Sequence, residues 1–152
     1  MKKIPLTLAA LLLLQPLSLF SHEHHAPHHG SLQVMGEEFA HYELTLDPAS
    51  GTLTVYVLDG EAEKPVRVKA KVLLFKLTPR GTKKPVRVVA KAVANELTGE
   101  TVGDTSQFEA TVTVLKGVTA VDGVLLLGEV KGRVFKNLKI KHPEGNEDGH
   151  DD

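Results

Sequence analysis

The stretch Phe39-Ala40-His41-Tyr42-Glu43-Leu44-Thr45-Leu46 decides the fold of this 152-residue chain. Ala40, Tyr42, Leu44 and Leu46 fall on one side of an extended backbone, and Phe39, His41, Glu43 and Thr45 on the other. That is the period-2 pattern of a half-buried strand. Asp47-Pro48-Ala49-Ser50-Gly51 has turn chemistry, so residues 52–59 (TLTVYVLD) form the returning arm of a hairpin that Asp59-Gly60 closes. This pattern places His41 and Glu43 together, on the outer face of the first strand.

Working outward, the same signature recurs. Residues 66–77, 86–93, 108–116, 123–130 and 132–140 each alternate or form short apolar runs between Gly, Pro and Asp turns. Lys64-Pro65-Val66-Arg67-Val68-Lys69-Ala70-Lys71 is echoed by Lys84-Pro85-Val86-Arg87-Val88-Val89-Ala90-Lys91. One echo is too few for a solenoid. It reads as two strands meeting the same demands, with Pro at the entrance, Val inward and Lys or Arg outward. No long amphipathic helix is present. About seven or eight short antiparallel strands make an all-β, Ig-like β-sandwich, here spanning residues 32–141.

The first residues set the address. Lys2 and Lys3, the apolar run from Ile4 to Leu14, and the small Ser21 have the three parts of a secretory signal. Pro5, Gln15 and Pro16 interrupt a segment already short for a membrane span of roughly 20 residues. Residues 1–21 are therefore expected to be removed between Ser21 and His22, leaving a periplasmic or secreted domain with no membrane span. The chain has no cysteine, so disulfides, thiolate ligands and Cys nucleophiles are excluded together. A net charge of −1 argues against a dedicated nucleic-acid binder. Between Glu61 and Lys91, however, ten Lys or Arg face two Glu, which could give a basic strand face.

The eight histidines are unevenly placed. His22, His24, His25, His28 and His29 crowd the segment 22–31, which has no apolar periodicity and reads as a flexible, disordered arm. His41 follows on the first strand, and His142 and His150 lie near the end, in an acidic tail from 142 to 152. Neutral imidazole is a good ligand for Zn, Cu(II) and Ni(II). The metal-ligand candidates are thus His22, His24, His25, His28 and His29, with His41, Glu43, Asp148 and His150 as weaker ones. A mature chain beginning His22-Glu23-His24 resembles the amino-terminal copper and nickel motif. In that motif the amine, two backbone amides and the third-residue imidazole form a planar four-nitrogen site. Asp148-Gly149-His150 is superficially similar to the Asp-x-His element of small periplasmic copper-resistance sandwiches, although it lies on a tail. Met35 is the single methionine after the signal, so a Met-rich Cu(I) site is not expected. No nucleophile elbow, phosphate loop or helical zinc-protease motif occurs, and no catalysis is expected.

From His28 to Asp59 the chain resembles small His-rich periplasmic proteins that accompany heavy-metal efflux systems. It is also similar there to a domain of some of their periplasmic adaptor subunits. The resemblance lies in a His-Gly start, a Gly before the first strand, Glu43 within it, and the Leu-Thr-Val-Tyr-Val-Leu-Asp strand. It implies a stand-alone periplasmic binding or chaperone module rather than a pump component, since the helical hairpin and lipoyl-like halves of a full adaptor are missing. The expected function is transition-metal binding, with Cu(II) or Zn(II) as ligand and an efflux adaptor as partner. The competing expectation is an Ig-like interaction module that uses the basic strand face, with the histidines incidental.

Overall fold

The computed structural model describes residues 24–146, and the signal segment 1–21 lies outside them, as do His22, Asp148 and His150. The described chain forms nine strands. In order these are β1 (Ser31–Met35), β2 (Ala40–Asp47), β3 (Thr52–Leu58), β4 (Val72–Pro79), β5 (Val86–Ala92), β6 (Gln107–Thr111), β7 (Val121–Val130), β8 (Arg133–Phe135) and β9 (Leu138–His142). A single 3-10 turn, Thr113–Leu115, follows β6. The all-β antiparallel fold expected from the alternation is the fold adopted. Its ladder runs unbroken as β1-β2-β3-β6-β5-β4-β7, from which β8 and β9 both branch. The two layers of the expected sandwich are therefore halves of one curled sheet, close to a barrel.

The β2–β3 hairpin is in the expected register, with Tyr42 opposite Val57 and Leu44 opposite Val55. Tyr42, Leu44, Val55 and Val57 point into a core they share with Phe75, Leu77, Phe108, Leu125 and Ile140, all fully buried. Each such side chain contributes about 1.5–3 kcal/mol by leaving water. The Tyr42 hydroxyl crosses to donate to the Glu129 carbonyl of β7 at 3.4 Å. Burial holds its pKa well above the ordinary tyrosine value.

Four features differ from the sequence expectation. Ser31 is not the end of an arm but the start of β1, which pairs with β2. The first copy of the Lys-Pro-Val-Arg echo is not a strand. Only two isolated bridges tie it down, Leu58 to Pro65 and Val68 to Thr105. Pro65 has no amide hydrogen to give to a ladder, and ladder pairing resumes only at Val72. Val68 is nevertheless buried between exposed Arg67 and Lys69, as Val88 is between Arg87 and Val89. The expected strand 132–140 is broken at Asn137, which sits at φ 55, giving β8 and β9 instead. Finally, the expected tail begins too early, because His142 ends β9 and residues up to Asn146 are packed.

That packing closes the sheet. The Gln33 carboxamide donates to the Lys141 carbonyl at 2.7 Å and accepts from the Lys141 amide at 3.0 Å. Asn146 accepts from the Val34 amide at 2.6 Å and donates to the Val34 and Lys139 carbonyls at 3.2 and 2.9 Å. Two side-chain amides thus do between β1 and β9 what peptide groups do between paired strands. Beside them Ser31 Oγ and His142 Nδ1 lie 2.8 Å apart, and burial pushes the His142 pKa down. Arg80 clasps Asp122 at 2.9 Å and Glu144 at 2.5 and 2.6 Å, holding the Glu144 carboxyl down at about 2.

Candidate metal centre

Strand β2 is buried on both faces, because residues 24–30 fold back over the side that carries His41 and Glu43. The expectation that these two share a face holds, but the face is not an outer one: both are completely buried. The segment expected to be a flexible arm is thus placed, from His24 onward, by specific contacts.

The lower contact is centred on Glu43. One carboxylate oxygen accepts the amides of His28 and Gly30 at 2.7 and 2.9 Å, and the other accepts His28 Nδ1–H at 2.7 Å. The His28 ring stacks on Tyr56 of β3, with centroids 3.6 Å apart and planes 6° from parallel. Gly30 is required here, since a Cβ would lie 2.4 Å from the Leu44 carbonyl. A buried carboxylate is tolerated only when paired and fully hydrogen-bonded, and Glu43 meets that condition.

The upper contact is different in kind. His24 and His41 meet with ring centroids 5.0 Å apart and planes tilted by 56°. His24 Nδ1 lies 3.1 Å from the Glu61 carbonyl, and His41 Nδ1 lies 3.0 Å from the Asp59 carbonyl. A carbonyl can only accept, so each Nδ1 carries a proton and Nε2 is the ring nitrogen left to meet another group. Both Nε2 atoms are buried and have no hydrogen-bond partner. The Glu38 carboxylate lies 3.5 Å from His24 Nε2 and is more than half exposed.

Two loops set this geometry. The β1–β2 turn puts Gly36, Glu37 and Glu38 in succession in the left-handed region, with φ of 54, 49 and 59. Non-glycine residues adopt it at a cost, so the turn is held by its surroundings. The loop after β3 is braced by Asp59, whose side chain accepts the Glu63 and Lys64 amides at 2.9 and 3.2 Å. Partial burial alone would raise the Asp59 pKa, but those amides and the Lys64 ammonium together bring it below the ordinary value. Gly60 lets the two loops touch, since a Cβ there would meet the Glu38 carbonyl at 2.4 Å.

Of the sequence candidates, His24 and His41 are brought together, while His28 and Glu43 are spent on each other. His25 and His29 are exposed. His22, Asp148 and His150 lie outside the described residues. Among the described residues no set of three or more His, Asp or Glu side chains is already gathered to hold a metal. Glu38 was not a candidate from sequence; its place beside His24 depends on the left-handed turn, which the dipeptide Glu37-Glu38 does not signal. Also among the described residues, no helix is long and apolar enough to cross a membrane.

No family model, curated protein or solved structure matches this chain.

Proposed function

We propose that this is an exported transition-metal-binding protein that sequesters Cu(II) or Zn(II), or delivers it, in heavy-metal homeostasis. The observation that carries the reading is the meeting of His24, from the His-rich segment, with the buried His41 of β2. Two imidazoles from distant parts of the chain come into ring contact, where a solvated polar tract would leave them apart. A cleft of about 260 Å³ bordered by His24, His25, Leu32 and Glu144 opens beside the segment. The resemblance of residues 28–59 to proteins of heavy-metal efflux systems suggests an efflux adaptor as the recipient. Such capture uses neutral rings, so affinity weakens as pH falls through roughly 6.5, where histidine ordinarily protonates.

Titration of the mature protein with Cu(II) and Zn(II), with and without residues 22–29, tests this. Tight binding that the deletion abolishes is expected. Unchanged affinity after deletion, in a protein still folded by circular dichroism, would sink the reading. A second reading has its own observation: Arg87, Val89 and Lys91 form an exposed basic and apolar strip on β5. If that strip is the working surface, charge reversal at Arg67, Lys69 and Arg87 removes binding of an acidic protein partner. Arg67 is the least available of the three, being paired with Asp104 at 3.2 Å.

A further inference from the structure

We infer that His24 Nε2 and His41 Nε2, completed by the Glu38 carboxylate, form a tetrahedral site for a Zn(II)-type divalent cation. This deepens the metal-binding reading and rests on it, by choosing two rings from a histidine-rich chain and stating what they hold.

The first argument is polar satisfaction. A buried ring nitrogen with no partner forfeits its hydration without return, so native interiors rarely leave one. Here there are two, on rings whose centroids lie 5.0 Å apart, and they are the buried side-chain atoms left without a partner among the described residues. No protein donor answers them, and the Glu38 carboxylate is itself an acceptor. A cation bound between the two rings, with Glu38 drawn in from 3.5 Å, would answer all three.

The second argument is orientation. Metal-ligating histidines characteristically donate their other ring N–H to a backbone carbonyl or carboxylate, which fixes the tautomer and makes the free nitrogen more basic. Asp59 and Glu61 provide that carbonyl to His41 and His24 from one rigid loop. Two carbonyls from alternate residues of the same loop select the same tautomer in both rings.

The third argument is spacing. With Zn–N near 2.0–2.1 Å, a ring centroid lies roughly 3.2 Å from a bound ion. Two centroids 5.0 Å apart then subtend roughly 100° at that ion, close to tetrahedral. Linear two-coordinate binding would need the rings more than an ångström farther apart. Two imidazole nitrogens and a carboxylate oxygen suit Zn(II), leaving a fourth position for water or a transfer partner. Glu38 has the freedom to close in, because its side chain is more than half exposed while both rings are fixed.

The test uses the full mature protein, with Zn(II) followed by calorimetry and Co(II) by visible absorption. One equivalent of Co(II) should give the strong absorption of tetrahedral coordination. His24→Ala and Glu38→Gln should each weaken Zn(II) binding at least tenfold, while His25→Ala and His29→Ala change it less than twofold. His41→Gln should behave like His24→Ala. If that buried substitution prevents folding, judged by circular dichroism, the two surface variants decide. Nitrogen NMR of the imidazoles should show Nε2 of His24 and His41 shifting on Zn(II) addition while both Nδ1 stay protonated. If the wild type binds no metal, both this inference and the metal-binding reading fall. If it binds Zn(II) equally well in His24→Ala and Glu38→Gln but loses it in His25→Ala or His29→Ala, only this inference falls. Weak octahedral Co(II) absorption would also overturn it.

Discussion

His41 and Glu43 stand two residues apart on the same covered face of β2, and both are completely buried. Their neighbourhoods nonetheless differ. Every contact of the Glu43 carboxylate is supplied by the protein, through His28 and Gly30. His41 has one nitrogen satisfied and the other stranded, as is one nitrogen of the neighbouring His24 ring. A closed polar cluster holds a segment in place, whereas an open one leaves polar atoms unanswered by the protein. The difference marks Glu43 as the anchor and, on the proposed reading, His41 as the group left for a metal ion.

The anchor should dominate stability. Glu43→Ala strands two amides and an imidazole N–H, and a loss of about 3 kcal/mol is expected in urea unfolding. A loss under about 1 kcal/mol would erase the contrast between the clusters. Gly30→Ala attacks the same anchor sterically and should cost about 1–3 kcal/mol. It should also expose residues 24–30 to protease, read as faster cleavage near the amino terminus.

The open cluster should respond in the opposite sense. His41→Leu removes a stranded nitrogen along with one hydrogen bond, and Asp59 keeps a partner for its carbonyl in the Ala62 amide. Metal-free stability should therefore change by less than about 1 kcal/mol, while the rise in melting temperature on adding Zn(II) disappears. A large loss of metal-free stability would make His41 a structural residue like Glu43.

His142 sharpens the comparison as a third buried histidine. Burial sets its folded pKa below the ordinary value, so protonation is easier in the unfolded chain. Its contribution is intact above about pH 6.5 and is lost as pH falls below it, toward the folded value. His142→Gln should flatten that part of the stability–pH curve and leave Zn(II) affinity unchanged. The smallest effect is expected at the exposed Arg80–Glu144 pair, whose contribution persists above the ordinary carboxylate range and fades as pH falls through about 2. In Arg80→Gln, the Glu144 titration followed by NMR should move up toward ordinary carboxylate values with little change in unfolding.

Much of this was legible in the chain and some was not, for physical reasons. The β2–β3 hairpin could be read because alternation and turn residues are local properties, and they fixed that His41 and Glu43 share a face. Whether that face is wet depends on where residues 24–30 go, and no local pattern reports it. β1 was missed because Ser31-Leu32-Gln33-Val34-Met35 is short and has a polar centre. Gln33 is polar there for a tertiary reason, its bonds to Lys141. The segment at Val66 read as a strand because its side chains alternate between burial and exposure. Alternation reports faces, however, and a ladder also needs a neighbour with free peptide groups.

The seam between β1 and β9 has a consequence of another kind. Many small domains fasten their ends with cystine, and this chain has no cysteine with which to do so. Gln33 and Asn146 supply the fastening instead, in groups that neither oxidants nor reductants alter. The closure is therefore redox-blind. It should persist unchanged in a reducing cytoplasm and beside a redox-active copper ion, where a thiol pair would be at risk.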